Sequence, residues 1–172
     1  MPNMREIRDR VSSIQQILEI TNAMYLMSSS KLKKARNALD STEPYFYTLQ
    51  ETIESVLEHT PHTRQEYFDR RSDIPEEKRK KGYIVITADK GLCGSYNHNI
   101  LKYTDSKIEE AADPENCYLF VMGQVGRMYF QRRIRSEKKG SLDGEFLYTT
   151  QNPTLYRAQE IADLVLAKFE KG

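Results

Sequence analysis

A chain of 172 residues suits one domain of ordinary size, or one domain with an appended helix. Its 26 Lys and Arg against 25 Asp and Glu leave a net charge of +1, which argues against a general nucleic-acid binder, whose basic excess is usually strong. Two cysteines, Cys93 and Cys117, cannot build a zinc site or a disulfide framework, and no apolar run approaches the roughly 18 residues that would span a bilayer.

With 38% hydrophobic and 30% charged residues, much of the apolar surface is expected to need another chain. The start, MPNMREIRDR, lacks an apolar signal region and reads as cytosolic.

From Ile7 to Leu39 ten residues recur at alternating spacings of four and three: Ile7, Val11, Ile14, Leu18, Thr21, Tyr25, Ser28, Leu32, Ala35 and Leu39. That is an a/d heptad seam, the pattern of a coiled coil. No Gly precedes Gly82 and no Pro lies between Pro2 and Pro44, so nothing breaks a helix that would run roughly 50 Å. Pro44, after Ser41, Thr42 and Glu43, predicts a kink or restart. Tyr45, Leu49, Ile53, Val56 and Leu57 then continue an apolar face to about residue 59.

The flanks of the seam bear on its partner. With Val11, Leu18, Tyr25, Leu32 and Leu39 at a, the g column is Arg10, Ile17, Met24, Lys31 and Ala38, and the e column is Arg8, Gln15, Asn22, Ser29 and Arg36. A parallel homodimer would pair Arg10 with Gln15, Ile17 with Asn22, Met24 with Ser29 and Lys31 with Arg36. None of these attracts electrostatically and the last repels. Ile17 and Met24 add apolar surface beside the seam. The cations Lys31, Lys33, Lys34 and Arg36 read either as a solvated face or as a match for an acidic partner.

Residues 1–60 are thus expected to form a coiled-coil shaft helix, 61–82 a linker with two prolines and mixed charge, and 83–172 an α/β domain. Tyr83–Thr87 (YIVIT) predicts a buried strand, and Asn97–Ala112 an amphipathic helix using Ile100, Leu101, Thr104, Ile108 and Ala111, stopped by Asp113-Pro114. A second strand is predicted at Cys117–Met122, a short helix at Gln124–Arg133 and a weak third strand at Phe146–Thr149. Asn152-Pro153 would open a helix with Ala158, Ile161, Ala162, Val165 and Phe169 inward, and Gly172 would close it. Alternating strands and helices imply a small Rossmann-like sheet of parallel βαβ units. The seam has no second helix to close it and the sheet is thin, so the chain reads as one that ends early.

The loop ITADKGLCGSYN, Ile86–Asn97, follows the first strand, where open α/β sheets bind ligands. Asp89 there could hold Mg²⁺ or accept a phosphoryl group, with Gly91 and Gly94 letting phosphate approach the backbone. Alternatively it is a tight strand-to-helix connection whose glycines supply unusual φ angles. There is no GxxxxGK[ST] and no GxGxxG. Cys93 would need a base to be a nucleophile; His98 is the nearby candidate, while His59 and His62 lie elsewhere, and a lone thiol in such a loop is usually a small packed residue.

Two stretches taken together resemble a known family. ITNAMYLMSSSKLKKA, at Ile20–Ala35, resembles the I-T-x-A-M…K…A helix of the gamma subunit of F-type ATP synthases, matched at Ile20, Thr21, Ala23, Met24, Lys31 and Ala35. The loop resembles that family's D-[RK]-G-L-C-G-x-x-N run, matched at Asp89, Lys90, Gly91, Leu92, Cys93, Gly94 and Asn97. REIRDRVSSIQQILEIT and VMGQVGRMYFQRR fit as well, so the likeness covers essentially the whole chain. Asn22, Ser28, Ser29 and Ser95 depart from the usual residues, and the family's final strands and long C-terminal helix have no counterpart.

The resemblance implies a non-catalytic rotor shaft with no cofactor. Its partners would be the alpha and beta subunits of the catalytic ring, the epsilon subunit and the membrane c-ring, with no nucleic acid. Ile17, Met24, Lys31, Lys33 and Lys34 would face the ring, and Asp89, Lys90, Gly91, Leu92, Cys93 and Gly94 would be a second partner contact. The place implied is the cytoplasmic side of a bacterial inner membrane, reached only through partner subunits. Two other readings stand beside it: a Mg²⁺-dependent phosphate-binding enzyme using Asp89, and a coiled-coil scaffold.

Overall fold

The computed structural model describes residues 3–59, 71, 73–75, 78–111, 114–137, 141–146 and 149–171. Most of the expected linker, with His62, lies outside the described residues, as do Asp113 and the expected cap at Gly172. The chain divides into two compact units, residues 1–63 and 64–172.

The first unit is one helix, α1 (Met4–His59). It continues through Pro44, where the sequence predicts a kink or restart. Proline deletes only one intrahelical donor, and on an exposed helix water can take the carbonyl left over. Nearby hydroxyls follow the helix rather than ending it: Ser41 Oγ and Thr42 Oγ1 donate to the carbonyls of Asn37 and Ala38, both at 2.8 Å. No residue of α1 is buried. Along the seam Val11, Leu18, Tyr25, Leu32 and Leu39 are 49–71% exposed. An exposed apolar stripe of this length is the mark of an interaction surface.

The second unit alternates β1 (Lys81–Ile86), α2 (Tyr96–Glu109), β2 (Cys117–Met122), α3 (Gln124–Glu137), β3 (Ser141–Phe146) and α4 (Leu155–Glu170). The sheet is parallel throughout, in the order β1-β2-β3. Central β2 reads CYLFVM, the near-continuous apolar run of a strand covered on both faces. Both crossovers step the same way along the sheet, and right-handed connections then place α2 and α3 on one face. Tyr83, Val85, Cys117, Leu119, Val121 and Leu142 meet them there, packed with Leu101, Ile108 and Phe130. Burial pushes the Tyr83 hydroxyl above the usual tyrosine pKa. On the opposite face Phe120 and Met122 are buried, whereas Ile84 and Ile86 on the edge strand remain 53% and 49% exposed.

Two predicted elements shift. The third strand is Ser141–Phe146, because pairing with β2 fixes it more strongly than its own polar sequence, SLDGEF; of the expected Phe146–Thr149, Phe146 belongs to it, Thr149 lies in a turn and residues 147 and 148 lie outside the described residues. Its register slips between Leu119 and Phe120, which face Leu142 and Gly144, leaving Asp143 as the extra residue of a bulge. The last helix is capped by Thr154 instead of Asn152: the Thr154 hydroxyl accepts from the Arg157 N–H at 3.3 Å. Only Ile161 of its expected inward residues is buried. Val165 and Phe169 are half-buried, and Ala158 and Ala162 face out, because a three-stranded sheet is too narrow to cover the whole stripe.

Phe130 is fully enclosed. Phe130→Ala should therefore cost the second unit about 3–5 kcal/mol in urea unfolding, while Tyr25→Ala on α1 should leave that transition unmoved within about 0.5 kcal/mol.

Candidate functional site

The loop after β1 runs along the carboxyl ends of all three strands, and its first residues have a definite task. A helix begins with N–H groups that lack intrahelical partners. In α3 three of them are met by consecutive residues of this loop. Gln124 N–H donates to Asp89 Oδ1 at 3.0 Å, Val125 N–H to the Ala88 carbonyl at 3.2 Å and Gly126 N–H to Thr87 Oγ1 at 2.9 Å. Thr87 Oγ1 donates in turn to the Met122 carbonyl at 3.0 Å. Thr87-Ala88-Asp89 is thus an N-cap delivered to α3 from a different strand, with the carboxylate at the positive end of the helix dipole.

Two glycines make the approach feasible. A Cβ on Gly123, whose φ is +94°, would lie 2.1 Å from the Thr87 carbonyl oxygen, and one on Gly126 would lie 2.8 Å from Thr87 Cγ2. The second oxygen of Asp89 reaches the next connection, accepting from Thr150 Oγ1 at 2.7 Å. Asp89 is 9% exposed and joins the ends of β1, β2 and β3 through one side chain.

Beyond Asp89 the chain turns outward. Lys90, Gly91 and Gly94 are exposed, Leu92 is 91% exposed and Cys93 is half-buried. Leu92 has φ +63°, a left-handed conformation that costs a non-glycine residue about 1–2 kcal/mol. Asn97 closes the far side: its Nδ2 donates to Cys93 Sγ at 3.0 Å and its Oδ1 accepts from Ala88 N–H at 2.9 Å. Cys93 therefore receives an amide hydrogen where a nucleophilic thiol would need a base.

This geometry bears on the two chemistries open for the loop. Both Asp89 oxygens are committed to internal donors, and the α3 N-terminus, where a phosphate would bind, is filled by the protein's own acceptors. Among the described residues no group of three or more His, Cys, Asp or Glu is arranged to hold a metal. The glycine-rich segment behaves as a tight connection with a projecting tip.

On α1, Ile17 and Met24 are 61% and 42% exposed, and Lys31, Lys33 and Lys34 are exposed. A cavity of about 330 Å³ at the far end of the sheet is lined by Arg71, Lys80, Tyr118, Phe120, Lys168 and Phe169 among others. Arg71 stacks on Phe169 at 4.5 Å, and its guanidinium donates to the Phe169 carbonyl, so cations gather where the carbonyl end of α4 favours them. Thr87, Gln124, Gly126 and Thr150 were invisible as site residues in sequence. Only Asn97 carried a signal, as the last position of the loop motif.

Residues 3–172 match the family described as ATP synthase. The ATP synthase gamma chain of Ruminiclostridium cellulolyticum is 45% identical over 98% of this chain and 54% of its own length. This chain belongs to the ATP synthase gamma family. The gamma chain of Caldanaerobacter subterraneus is 41% identical over 98% of this chain and 54% of its own length. A gamma chain of Acetobacterium woodii named as sodium ion specific is 34% identical over 99% and 52%. This gamma-family chain spans about half the length of the relatives it matches.

Asp89→Ala strands the Gln124 N–H and the Thr150 hydroxyl, and should lower the unfolding free energy by about 1–3 kcal/mol. Asp89→Asn keeps an acceptor for Gln124 and should lose less than half of that in the same urea titration. Calorimetric titration of the unmutated chain with Mg²⁺ and nucleotide should show no saturable heat; saturable heat abolished by Asp89→Asn would restore the enzymatic reading.

Proposed function

We propose that this gamma-family chain is the N-terminal part of the central stalk of an F-type ATP synthase. It would couple proton-driven rotation to conformational change in the catalytic subunits and perform no catalysis itself. α1 is one half of the shaft, and Ile17, Met24, Lys31, Lys33 and Lys34 are its contacts with the ring of alpha and beta subunits. The Lys90–Gly94 tip is a second contact, made with the alpha and beta subunits, with the epsilon subunit or with the c-ring. The assembly sits on the cytoplasmic side of a bacterial inner membrane. The chain reaches the membrane only through these partners, and no helix among the described residues is long and apolar enough to cross one.

One observation carries the reading: a 56-residue helix with a regular apolar seam and no buried residue. An apolar stripe of that length is unfavourable in water and calls for a surface to cover it. The mismatched e and g columns disfavour a second copy of itself, which weakens the scaffold reading. In such a stalk the mechanism is mechanical. An asymmetric shaft turning inside a ring favours different states of each surrounding site in turn, because its contacts differ from one orientation to the next.

The test is retention. Immobilised chain should hold purified alpha and beta subunits, and the triple substitution Lys31→Glu, Lys33→Glu, Lys34→Glu should reduce retention about tenfold, the change expected for roughly 1.4 kcal/mol of lost contact. Far-ultraviolet circular dichroism should show the same helix content in both proteins. Absence of retention by the unmutated chain would sink the shaft reading. Concentration-dependent dimers in sedimentation would favour the scaffold instead.

A further inference from the structure

We infer that Thr150 is a positioning residue for the Lys90–Gly94 tip, an inference that rests on the reading of that tip as a partner contact. The tip holds an unfavourable conformation at Leu92 while exposing almost all of that side chain. Such a conformation persists only where the flanking residues are fixed from both sides.

On the far side the fixing group is Asn97, within the same loop and helix. On the near side it is Asp89, and the two oxygens of Asp89 have different roles. Oδ1 caps α3 and belongs to the core of the unit. Oδ2 reaches Thr150, 61 residues away in sequence, in the connection between β3 and α4. With one oxygen engaged, a carboxylate can still turn about its side-chain bonds; with both engaged its plane is set, and so is the direction in which the chain leaves for Lys90. Thr150 stands four residues before Thr154, the N-cap of α4. The start of α4 and the projecting tip are therefore joined through one hydroxyl and one carboxylate, and a shift of either is passed to the other.

Amide hydrogen exchange on the full chain tests this. Thr150→Val keeps the shape of the side chain and removes the donor; Thr150→Ser keeps the donor. In Thr150→Val, exchange at the Ala88 and Tyr96 amides, whose hydrogen bonds to Asn97 and Cys93 close the two ends of the tip, should quicken about tenfold, the order expected for losing one charge-assisted hydrogen bond, with the α3 amides and the α2 amides beyond residue 100 unchanged within about twofold. Thr150→Ser should restore the slow rates. An unchanged tip, or equal acceleration across α2 and α3, overturns the assignment, the latter by making the contact a staple of the fold alone. Retention on alpha and beta subunits separates the two ideas. A tip that loosens in Thr150→Val, together with an unmutated chain that no subunit retains, overturns the stalk reading and leaves the positioning of the tip established.

Discussion

Everything at the working end of the α/β unit depends on how α3 begins. Its first three N–H groups are satisfied by Asp89, Ala88 and Thr87 in that order, so the helix start and the end of β1 are a single structure. The price is steric: Gly123 and Gly126 must carry no side chain, because the Thr87 backbone and methyl occupy the space. In return, the loop between Asp89 and Asn97 can project without packing of its own. A loop anchored by its ends is the usual way in which proteins present contact residues on a rigid scaffold.

The first unit poses the opposite physical problem. The α/β unit folds around its own core, whereas α1 has none. Its seam residues are exposed along with its charged ones, and a helix in that state gains little from burial. The chain is asymmetric: one part is a folded platform and the other a helix with an exposed apolar face. The same asymmetry accounts for a composition more polar than an ordinary domain of this size.

Much of the architecture was legible in the sequence because local pattern and final environment agree. The ends of β2 are legible because CYLFVM is an unbroken apolar run and all of it but the half-buried Tyr118 is buried. The heptad gave α1 because nothing tertiary contradicts a period carried over so many residues. The failures are equally physical. β3 is set by hydrogen bonds to β2 and carries little pattern of its own, so its start lies five residues before the expected one. Pro44 does not restart the helix, because an exposed helix tolerates one missing donor. Asn152 and Thr154 can both cap a helix, and where α4 meets the sheet decides for Thr154.

The loop shows the boundary most clearly. The sequence by itself determined its composition, its place after a strand and its likeness to the gamma family, since these are properties of residues in order. It also determined that α1 would present an apolar face, because helical period alone decides which residues share a side. Only the tertiary structure decided what Asp89 does. A carboxylate beside glycines suits a metal, a phosphate or a helix terminus equally well until its neighbours are known. Those neighbours, Gln124 and Thr150, lie 35 and 61 residues away, and parallel pairing of the strands brings all three together.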